Sequence, residues 1–481
     1  MVGGALPPRL AREAERAEAA ARAVGLDFFE VVFELLDARD VNAIAAYGGF
    51  PTRYPSWRFG MDFERLQKGY GYGLSKIYEL VINNDPTIAY LVRSNSLMEQ
   101  KLVMAHVMGH ADFFKHNVWF APTERHMVEQ MTSHAERVRE LIARHGQDAI
   151  ERFLDRALAL ESLLDPFGPL RRMQQSERAA AAGRSIAERA RLSLEALMDA
   201  DGGARAAPAV SASRQGRFAL PTFDILPFLV EHAPLESFER ELLRIIHAEA
   251  EYFLPQRMTK VINEGWASFW HSRLLTGGLL DASEIVDFAD CHAGATAAAP
   301  GQLNPYKLGI ELFRHAEALG EDLFRLRRVH NDVSFVDALV DAEFAARNQL
   351  FVRQRNARTG RQEVGERGWR QVKQELLQGL AWGGQPRIEL VDADFEGGGG
   401  LLLVHRHDGR DLKLDEAGEL LKTIAALWRR SVRLYTLQEG QGRVLVVDGG
   451  EPRVLDSSKA LAFLEGEASR DDVGERFGPA A

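Results

Sequence analysis

Residues 101–117, with the sequence KLVMAHVMGHADFFKHN, constrain the fold more than any other stretch of the chain. They place His106 and His110 four residues apart in an otherwise apolar run. Residues at this spacing lie on the same face of an α-helix, so both imidazoles point the same way. A helix of this kind can offer two nitrogens to one metal ion. The stretch therefore predicts a buried helix that carries half of a metal site.

The residue after the first histidine differs from that of familiar zinc hydrolases. Helices of the H-E-x-x-H type carry a catalytic glutamate there, whereas this chain has Val107. Valine cannot accept a proton, so the usual group that deprotonates a zinc-bound water is absent. Three interpretations stay open: another side chain serves as the base, the metal supports chemistry that needs no such base, or the site is structural or regulatory.

Glu264, in the sequence VINEGWASFWH, is the best candidate for the third ligand. Asn263-Glu264 followed by the small Ala267 matches the second helix of zinc peptidases with a distal glutamate ligand. There the carboxylate projects towards the histidines, and the small residue one turn later lets the two helices approach closely. His106, His110 and Glu264 are therefore the predicted ligands of Zn²⁺ or another divalent metal.

Three side chains are the predicted catalytic groups in place of the missing glutamate: His271, Glu249 and His116. His271 shares the helical face of Glu264 but lies about 10.5 Å further along the axis. One ion cannot easily bind both, so we expect His271 to contact substrate or to act as an acid or base. Glu251 is a further candidate base. A second metal held by Glu249 with Glu264 or His271 also stays open, which would make the protein a dinuclear carboxylate–histidine metalloenzyme.

Composition and motifs argue against several classes of protein. The net charge of −10 argues against general nucleic-acid binding. Cys291 is the single cysteine, which fits a reducing compartment, and with the adjacent His292 we expect it to lie in the core. The sequence contains no apolar run of about 18 residues, so we expect no membrane span. The first residues also lack the apolar core of a signal peptide. We therefore expect a cytoplasmic protein. No P-loop, Rossmann fingerprint or nucleophile elbow is present in the sequence.

The pattern of predicted elements indicates an α+β protein with a mainly helical, zincin-like core. A chain of 481 residues is too long for one ordinary core. We expect a charged helix in residues 1–24, a helical domain in residues 25–355 and a small α+β domain in residues 356–481. Residues 171–217, rich in Ala, Arg, Ser and Gly, predict a loose, partly disordered insertion in the helical domain.

Local patterns around the histidine helix predict its neighbours and its start. Residues 77–82 and 88–92 read as two strands joined by a turn, so we expect a hairpin just before the helix. Ser96 and Glu99 have the spacing of a capping box, in which each satisfies a backbone N–H of the other. Asn95 or Ser96 is therefore expected to cap the helix, and the capping-box spacing favours Ser96.

Other local patterns make predictions elsewhere in the chain. Residues 47–63, rich in Gly, Pro and aromatic residues, predict a structured loop with short strands. Pro255 is expected to end one helix and to begin the next. Residues 334–351 predict a single helix. His405 and His407 alternate along a predicted strand, which favours a solvated sheet face.

Five stretches of this sequence resemble the SpoVR family, which is named for a stage V sporulation protein. The resemblance covers residues 47–351, and the C-terminal α+β segment fits the C-terminal part of that family. The matching stretches are KIYELVINNDPTIAYL, LVMAHVMGHADFFKHN, DILPFLVEHAPLESFERELLRIIHAEAEYFLPQRMTKVINEGWASFWH, GQLNPYKLGIELF and HNDVSFVDALV.

The resemblance implies a role around spore cortex formation in spore formers and in stress or stationary phase elsewhere. It also implies two partners, a PrkA-type serine kinase and a von Willebrand-like protein, whose genes often neighbour those of the family. It does not imply a known reaction. A non-catalytic scaffold or regulator that works with the kinase is therefore the alternative to a hydrolase-like metalloprotein, and Val107 supports that alternative.

Overall fold

The structure, a computed structural model, describes residues 6–71, 80–176, 178, 220–296, 304–348, 350, 353–355, 362–364 and 368–471. The chain forms two compact units, Met1–Leu158 with Glu241–Gln385 and Ala159–Arg240 with Pro386–Ala481. Most of the predicted insertion lies outside the described residues. Helices predominate and the main sheet lies near the C-terminus, which confirms an α+β protein.

The first half of the first unit is mostly helical. Its first helix is largely charged, yet it buries Ala17 and Ala21 against the core. The six helices are α1 (Pro8–Ala23), α2 (Ala38–Ala46), α3 (Trp57–Gly71), α4 (Leu97–His116), α5 (Met127–His145) and α6 (Gln147–Leu158).

Helix α3 corrects one prediction. Residues 47–63 were expected to form a loop with short strands, but the chain is helical from Trp57 onward. Ion pairs one turn apart support the helix, Asp62 with Arg65 and Glu64 with Lys68. The many aromatic residues concealed this charge spacing.

Three strands form a small sheet in the same unit: β1 (Val31–Leu36), β2 (Leu80–Ile82) and β3 (Thr87–Val92). β3 lies in the centre, parallel to β1 and antiparallel to β2. The hairpin predicted before α4 is therefore confirmed for its described part. Residues 77–79 lie outside the described residues.

The next helices correct the prediction for Pro255. After α7 (residues 168–176) and α8 (Ile225–His232), helix α9 (Ser237–Met258) continues through the proline, and α10 (Lys260–Leu274) begins only after Thr259. The Thr259 hydroxyl donates to the Pro255 carbonyl at 2.7 Å, which satisfies an acceptor near the end of the helix. The helix thus tolerates the proline for one more turn.

The rest of the first unit contains short helices and a two-stranded sheet. A π-helical turn (Leu275–Leu279) and a 3₁₀ turn (Ala282–Glu284) follow α10. The remaining elements are α11 (Ile285–Thr296), α12 (Pro305–Ala318), α13 (Leu323–Val329), α14 (Asp332–Leu339), α15 (Ala342–Arg347), β4 (Arg353–Arg355), β5 (Gln362–Val364), α16 (Trp369–Leu380) and a 3₁₀ turn (Ala381–Gly384).

Two helices, α14 and α15, replace the single helix predicted for residues 334–351. α14 ends at Leu339, and the Asp341 side chain then accepts a bond from the Phe344 N–H at 2.7 Å. An aspartate in this position caps a new helix, because it satisfies a backbone donor that has no partner inside the helix. The apolar periodicity across the junction did not reveal this interruption.

Helix α4 lies in the centre of the first unit. It contacts α1, α10, α11, α13 and β3. Residues Val103 to Met108 are almost wholly inaccessible to solvent, which explains why this helix is apolar on every side. Across the described ranges of the chain, no helix combines the length and the hydropathy needed to cross a membrane.

The second unit contains a five-stranded sheet in the order β10-β9-β8-β7-β6. β7 and β8 are parallel and the other pairs are antiparallel. Helices α17 (Leu414–Trp428) and α18 (Ser458–Asp471) pack on β8 and β9. The strands are β6 (Ile388–Phe395), β7 (Gly400–His405), β8 (Val432–Gln438), β9 (Gln441–Val447) and β10 (Arg453–Asp456).

His405 corrects the prediction of a solvated sheet face. It is buried at the end of β7, and its Nδ1 lies 2.9 Å from the hydroxyl oxygen of Thr436. His407 lies beyond the strand and bonds to Asp411 at 2.8 Å. Every position of β7 is buried, so both of its faces are covered by protein.

Candidate metal centre

The helix that carries the two histidines begins at a complete capping box. The Ser96 hydroxyl accepts from the Glu99 N–H at 3.2 Å, and the Glu99 carboxylate accepts from the Ser96 N–H at 2.7 Å. This confirms the predicted start of α4. Lys101, one turn later, is buried, and its ammonium donates to Glu284 at 2.8 Å. The helix is therefore fixed at its N-terminal end by hydrogen bonds and an ion pair.

Helices α4 and α10 pack against each other in antiparallel directions. His110 contacts Asn263 near the start of α10, and His106 contacts His271 near its end. At the crossing, a methyl group placed on Gly109 would lie 2.7 Å from the Cα atom of Ala267. The small residues at this point therefore allow the two backbones to touch.

Helix α12 packs on the other side of α10 with equally small clearance. A methyl group on Gly265 would lie 2.5 Å from the Cα atom of Gly309, and one on Gly309 would lie 2.2 Å from the Val261 carbonyl oxygen. These contacts lie beside Glu264, so the position of its backbone is set by packing on two sides.

His106, His110 and Glu264 converge at this crossing. Their ligand atoms all lie within 4.8 Å of one another. The Nε2 atoms of His106 and His110 each lie 3.5 Å from the same Oε2 atom of Glu264. Both histidines are buried, and the Glu264 side chain is 17% exposed. Among the described residues, this is the group of three or more side chains whose ligand atoms are arranged to hold a metal ion.

The Nδ1 atoms of both candidate histidine ligands also have hydrogen-bond partners. His110 Nδ1 lies 2.9 Å from the Asn263 amide oxygen, which can only accept, so the imidazole carries its proton on Nδ1. His106 Nδ1 lies 2.7 Å from Nδ1 of His271. The other nitrogen of His271 lies 3.2 Å from Nδ1 of His292, on α11. These bonds turn the Nε2 atoms of both candidate ligands towards Glu264.

Asp332 fixes the start of α10 although it belongs to α14. Its buried carboxylate accepts from the Val261 N–H at 3.0 Å and the Ile262 N–H at 2.9 Å. These donors have no acceptor within the helix, so Asp332 caps α10 from outside. Burial raises the pKa of Asp332 to about 7, against the lowering effect of the backbone donors.

A buried ion pair holds α4 to α13. The Asp112 carboxylate accepts from the Arg327 guanidinium at 2.8 and 2.9 Å, and from the Trp266 indole N–H at 2.9 Å. It also accepts from the Asp27 backbone N–H at 2.9 Å. Four donors on one carboxylate satisfy a charge that would otherwise be costly to bury. Through Trp266 the same group connects α4 with α10.

Two of the three predicted catalytic side chains lie in other clusters. Glu249 is buried, forms an ion pair with Arg53, and lies 3.3 Å from the Tyr54 hydroxyl and 3.2 Å from His134 Nδ1. His116, at the end of α4, bonds to Asp27 at 2.9 Å. Their catalytic roles stay predictions, which no described contact with the candidate ligands supports.

His271 lies next to the candidate ligands. It is separated from Glu264 along α10, as the helix geometry predicted, but the antiparallel packing brings it against His106. The aromatic ring of Tyr306, at the start of α12, also lies near His106, with 6.2 Å between ring centroids. Glu251, the further candidate base, pairs instead with His247 on its own helix at 3.2 Å.

Sequence reasoning did not assign the roles of His292 and Asp332. His292 was expected to lie in the core, and no spacing to the other histidines indicated its contact with His271. The position of Asp332 directly after Asn331 gave no sign that it caps a helix seventy residues earlier in the chain. Both contacts depend on how α11 and α14 pack on α10.

The fold and the site define a mainly helical α+β protein with a buried His–His–Glu cluster between two antiparallel helices. The family model described as SpoVR like protein matches residues 6–385, and the model described as SpoVR-like C-terminal domain matches residues 386–439. The chain therefore belongs to the SpoVR family.

A curated relative is similar over nearly the whole chain. It is the uncharacterized protein YcgB of Escherichia coli (strain K12), 28% identical in an alignment 476 residues long that covers 89% of this chain and 92% of that protein. No solved structure matches the chain. The predicted resemblance to the family is confirmed.

Proposed function

We propose that His106, His110 and Glu264 bind one divalent cation, Zn²⁺ in the simplest case, in a zincin-like site. The observation that carries the proposal is the pair of 3.5 Å separations from one Glu264 oxygen to the two histidine Nε2 atoms. Ligands of a tetrahedral Zn²⁺ lie about 2.0–2.1 Å from the ion, so they lie about 3.4 Å from each other. The two separations from Glu264 therefore already fit a bound ion, and all three ligand atoms lie within 4.8 Å of one another.

The donor set also favours zinc on chemical grounds. Two imidazole nitrogens and one carboxylate oxygen form the ligand set of zinc sites that keep a fourth position for water or substrate. Each imidazole has a partner on its second nitrogen, Asn263 for His110 and His271 for His106. Such partners fix the ring orientation and strengthen the ligand.

Hydrolase-like chemistry on an unidentified substrate is the function that we propose for this centre. A bound Zn²⁺ would supply Lewis acidity and lower the pKa of a bound water. Val107 is wholly buried and holds no proton acceptor, so the base must come from elsewhere. His271 is the predicted catalytic group that contacts a candidate ligand, whereas Glu249 and His116 lie in other clusters. Its two ring nitrogens face His106 and His292, so an acid–base role for His271 requires one of these two contacts to open during the reaction.

Metal analysis of protein purified without chelator tests the proposal. We expect about one zinc per chain in the wild type, and loss of the metal in His110→Ala and Glu264→Gln. His145→Ala is the matched control, because this histidine is exposed at the end of α5. A ratio near two would favour the dinuclear alternative. Wild-type protein that is free of metal at neutral pH would refute the site.

A scaffold or regulator that works with a PrkA-type serine kinase is a second candidate, favoured by the buried Val107 beside His106. It would place the protein in the cytoplasm, in a sporulation or stress response. Kinase pull-down with wild type and His106→Ala tests it. The scaffold is favoured if wild type and His106→Ala bind the kinase equally well and the metal-loaded protein shows no turnover. Failure to bind the kinase contradicts it.

A further inference from the structure

Three histidines from three helices form a continuous row that leads away from the candidate metal centre. His106 on α4 contacts His271 on α10 at 2.7 Å, and His271 contacts His292 on α11 at 3.2 Å. The first two are buried and the third is half-buried. The row therefore connects a candidate ligand with a helix that supplies no ligand itself.

The hydrogen-bond chemistry of this row has one arrangement that suits a metal ion. His106 uses Nε2 towards Glu264, so its ring proton lies on Nδ1 and is donated to His271 Nδ1. His271 then carries its own proton on Nε2 and donates it to His292 Nδ1. If His292 were lost, His271 could move its proton to Nδ1, and two protonated nitrogens would face each other.

The surroundings of His292 suit an acceptor. Its ring stacks on Phe288, with 5.5 Å between centroids and 29° between planes. Burial, with the nearby charge of Arg314, lowers the pKa of His292 below its ordinary value. A neutral imidazole keeps one nitrogen without a proton, as the bond from His271 requires.

We infer that His292 is a positioning residue of the metal centre. Acting through His271, it holds the ring of His106 in the tautomer and orientation that point Nε2 at the ion. The inference rests on the proposed metal site and adds a dependence on α11, which contributes no ligand. Loss of a group bonded directly to a ligand typically weakens metal binding by about 10- to 100-fold, and because His292 lies one bond further out, we expect a loss at the lower end of that range.

Two substitutions separate hydrogen bonding from packing. His292→Asn places an amide oxygen close to the position of Nδ1 and keeps an acceptor for His271. His292→Phe keeps an aromatic ring against Phe288 but has no acceptor. Asp290→Ala, an exposed position on the same helix, is the matched control. The affinity for Zn²⁺ is measured by competition with a chromophoric chelator, and thermal unfolding of the metal-free proteins reports on folding.

We expect zinc affinity close to that of the wild type for His292→Asn and Asp290→Ala, and affinity about 10-fold weaker or worse for His292→Phe. Equal affinity in all four proteins overturns the inference. A Phe variant that binds like the wild type beside a weakened Asn variant also overturns it, because packing would then be the role of the ring. If the wild type itself binds no Zn²⁺, the metal site fails, which is a separate result.

Discussion

The sharpest test of the architecture around the site is a single methyl group at Gly265. In Gly265→Ala the new carbon would lie 2.5 Å from both the Cα and the carbonyl carbon of Gly309 and 2.8 Å from its oxygen. Ordinary carbon–carbon contacts begin at about 3.5 Å, so the axes of α10 and α12 would have to separate by about 1 Å. The obstructing atoms belong to the backbone and cannot rotate away.

Two effects oppose each other in this variant. Alanine is the better helix former by about 1 kcal/mol. Overpacking of a close contact costs about 1–3 kcal/mol, and a backbone obstruction lies at the upper end of that range. We therefore expect a net loss of about 1–2 kcal/mol in the free energy of unfolding. A shift of Glu264 by a comparable distance exceeds the tolerance of about 0.2 Å for metal–ligand bonds, so zinc binding should weaken as well.

Urea unfolding and zinc titration of Gly265→Ala measure both effects. Gly60→Ala is the control, since a methyl group there meets nothing within 4 Å and α3 should gain up to about 1 kcal/mol. If Gly265→Ala is as stable as the control and binds zinc normally, the close approach of α10 and α12 is not what fixes Glu264.

Three further predictions concern buried polar groups. Asp112→Ala leaves Arg327 buried without its carboxylate, and we expect a loss of about 3–5 kcal/mol by chemical unfolding. Asp332→Ala removes the external cap of α10 and should cost about 1–2 kcal/mol, whereas Asp332→Asn, which keeps an acceptor, should lose less. Burial lowers the pKa of His405 to about 4 from 6.5, so the unfolded chain binds the proton first as the pH falls. Stability should decrease by about 3 kcal/mol between pH 6.5 and 4, and His405→Gln should flatten that slope in pH-dependent unfolding. His407→Gln should flatten it less, because the charge of His407 is a smaller cause of the lowered pKa than burial is.

The sequence predicted those features that depend on spacing within one helix. The capping box of α4, the shared face of His106 and His110, and the separation of His271 from Glu264 along α10 all follow from helical geometry. The family resemblance followed from the same motifs. These features need no knowledge of which elements pack together.

Features that depend on packing between elements were not predictable in this way. The antiparallel crossing of α4 and α10 brings His271 against His106, whereas the axial distance along α10 indicated only that His271 lies away from Glu264. Glu249 carries no local mark of its ion pair with Arg53, which lies almost two hundred residues earlier. The continuation of α9 through Pro255 likewise depends on the Thr259 bond and on the cap that Asp332 gives to the next helix.

The buried polar groups around α10 favour a functional role for the His–His–Glu cluster. A carboxylate in the protein interior destabilises the fold unless several donors satisfy it, and an apolar replacement is often at least as stable. Yet Asp112 and Asp332 both fix α10, one through Trp266 and the other at the helix start. The backbones of α4 and α12 also approach that of α10 closely, at Gly109 on α4 and at Gly265 and Gly309 on α10 and α12. Ligands of a metal must be held to within a fraction of an ångström, and supports of this kind provide that precision. An apolar helix bundle would need none of these supports. Their convergence on Glu264 therefore favours a functional site rather than two histidines that are buried by chance.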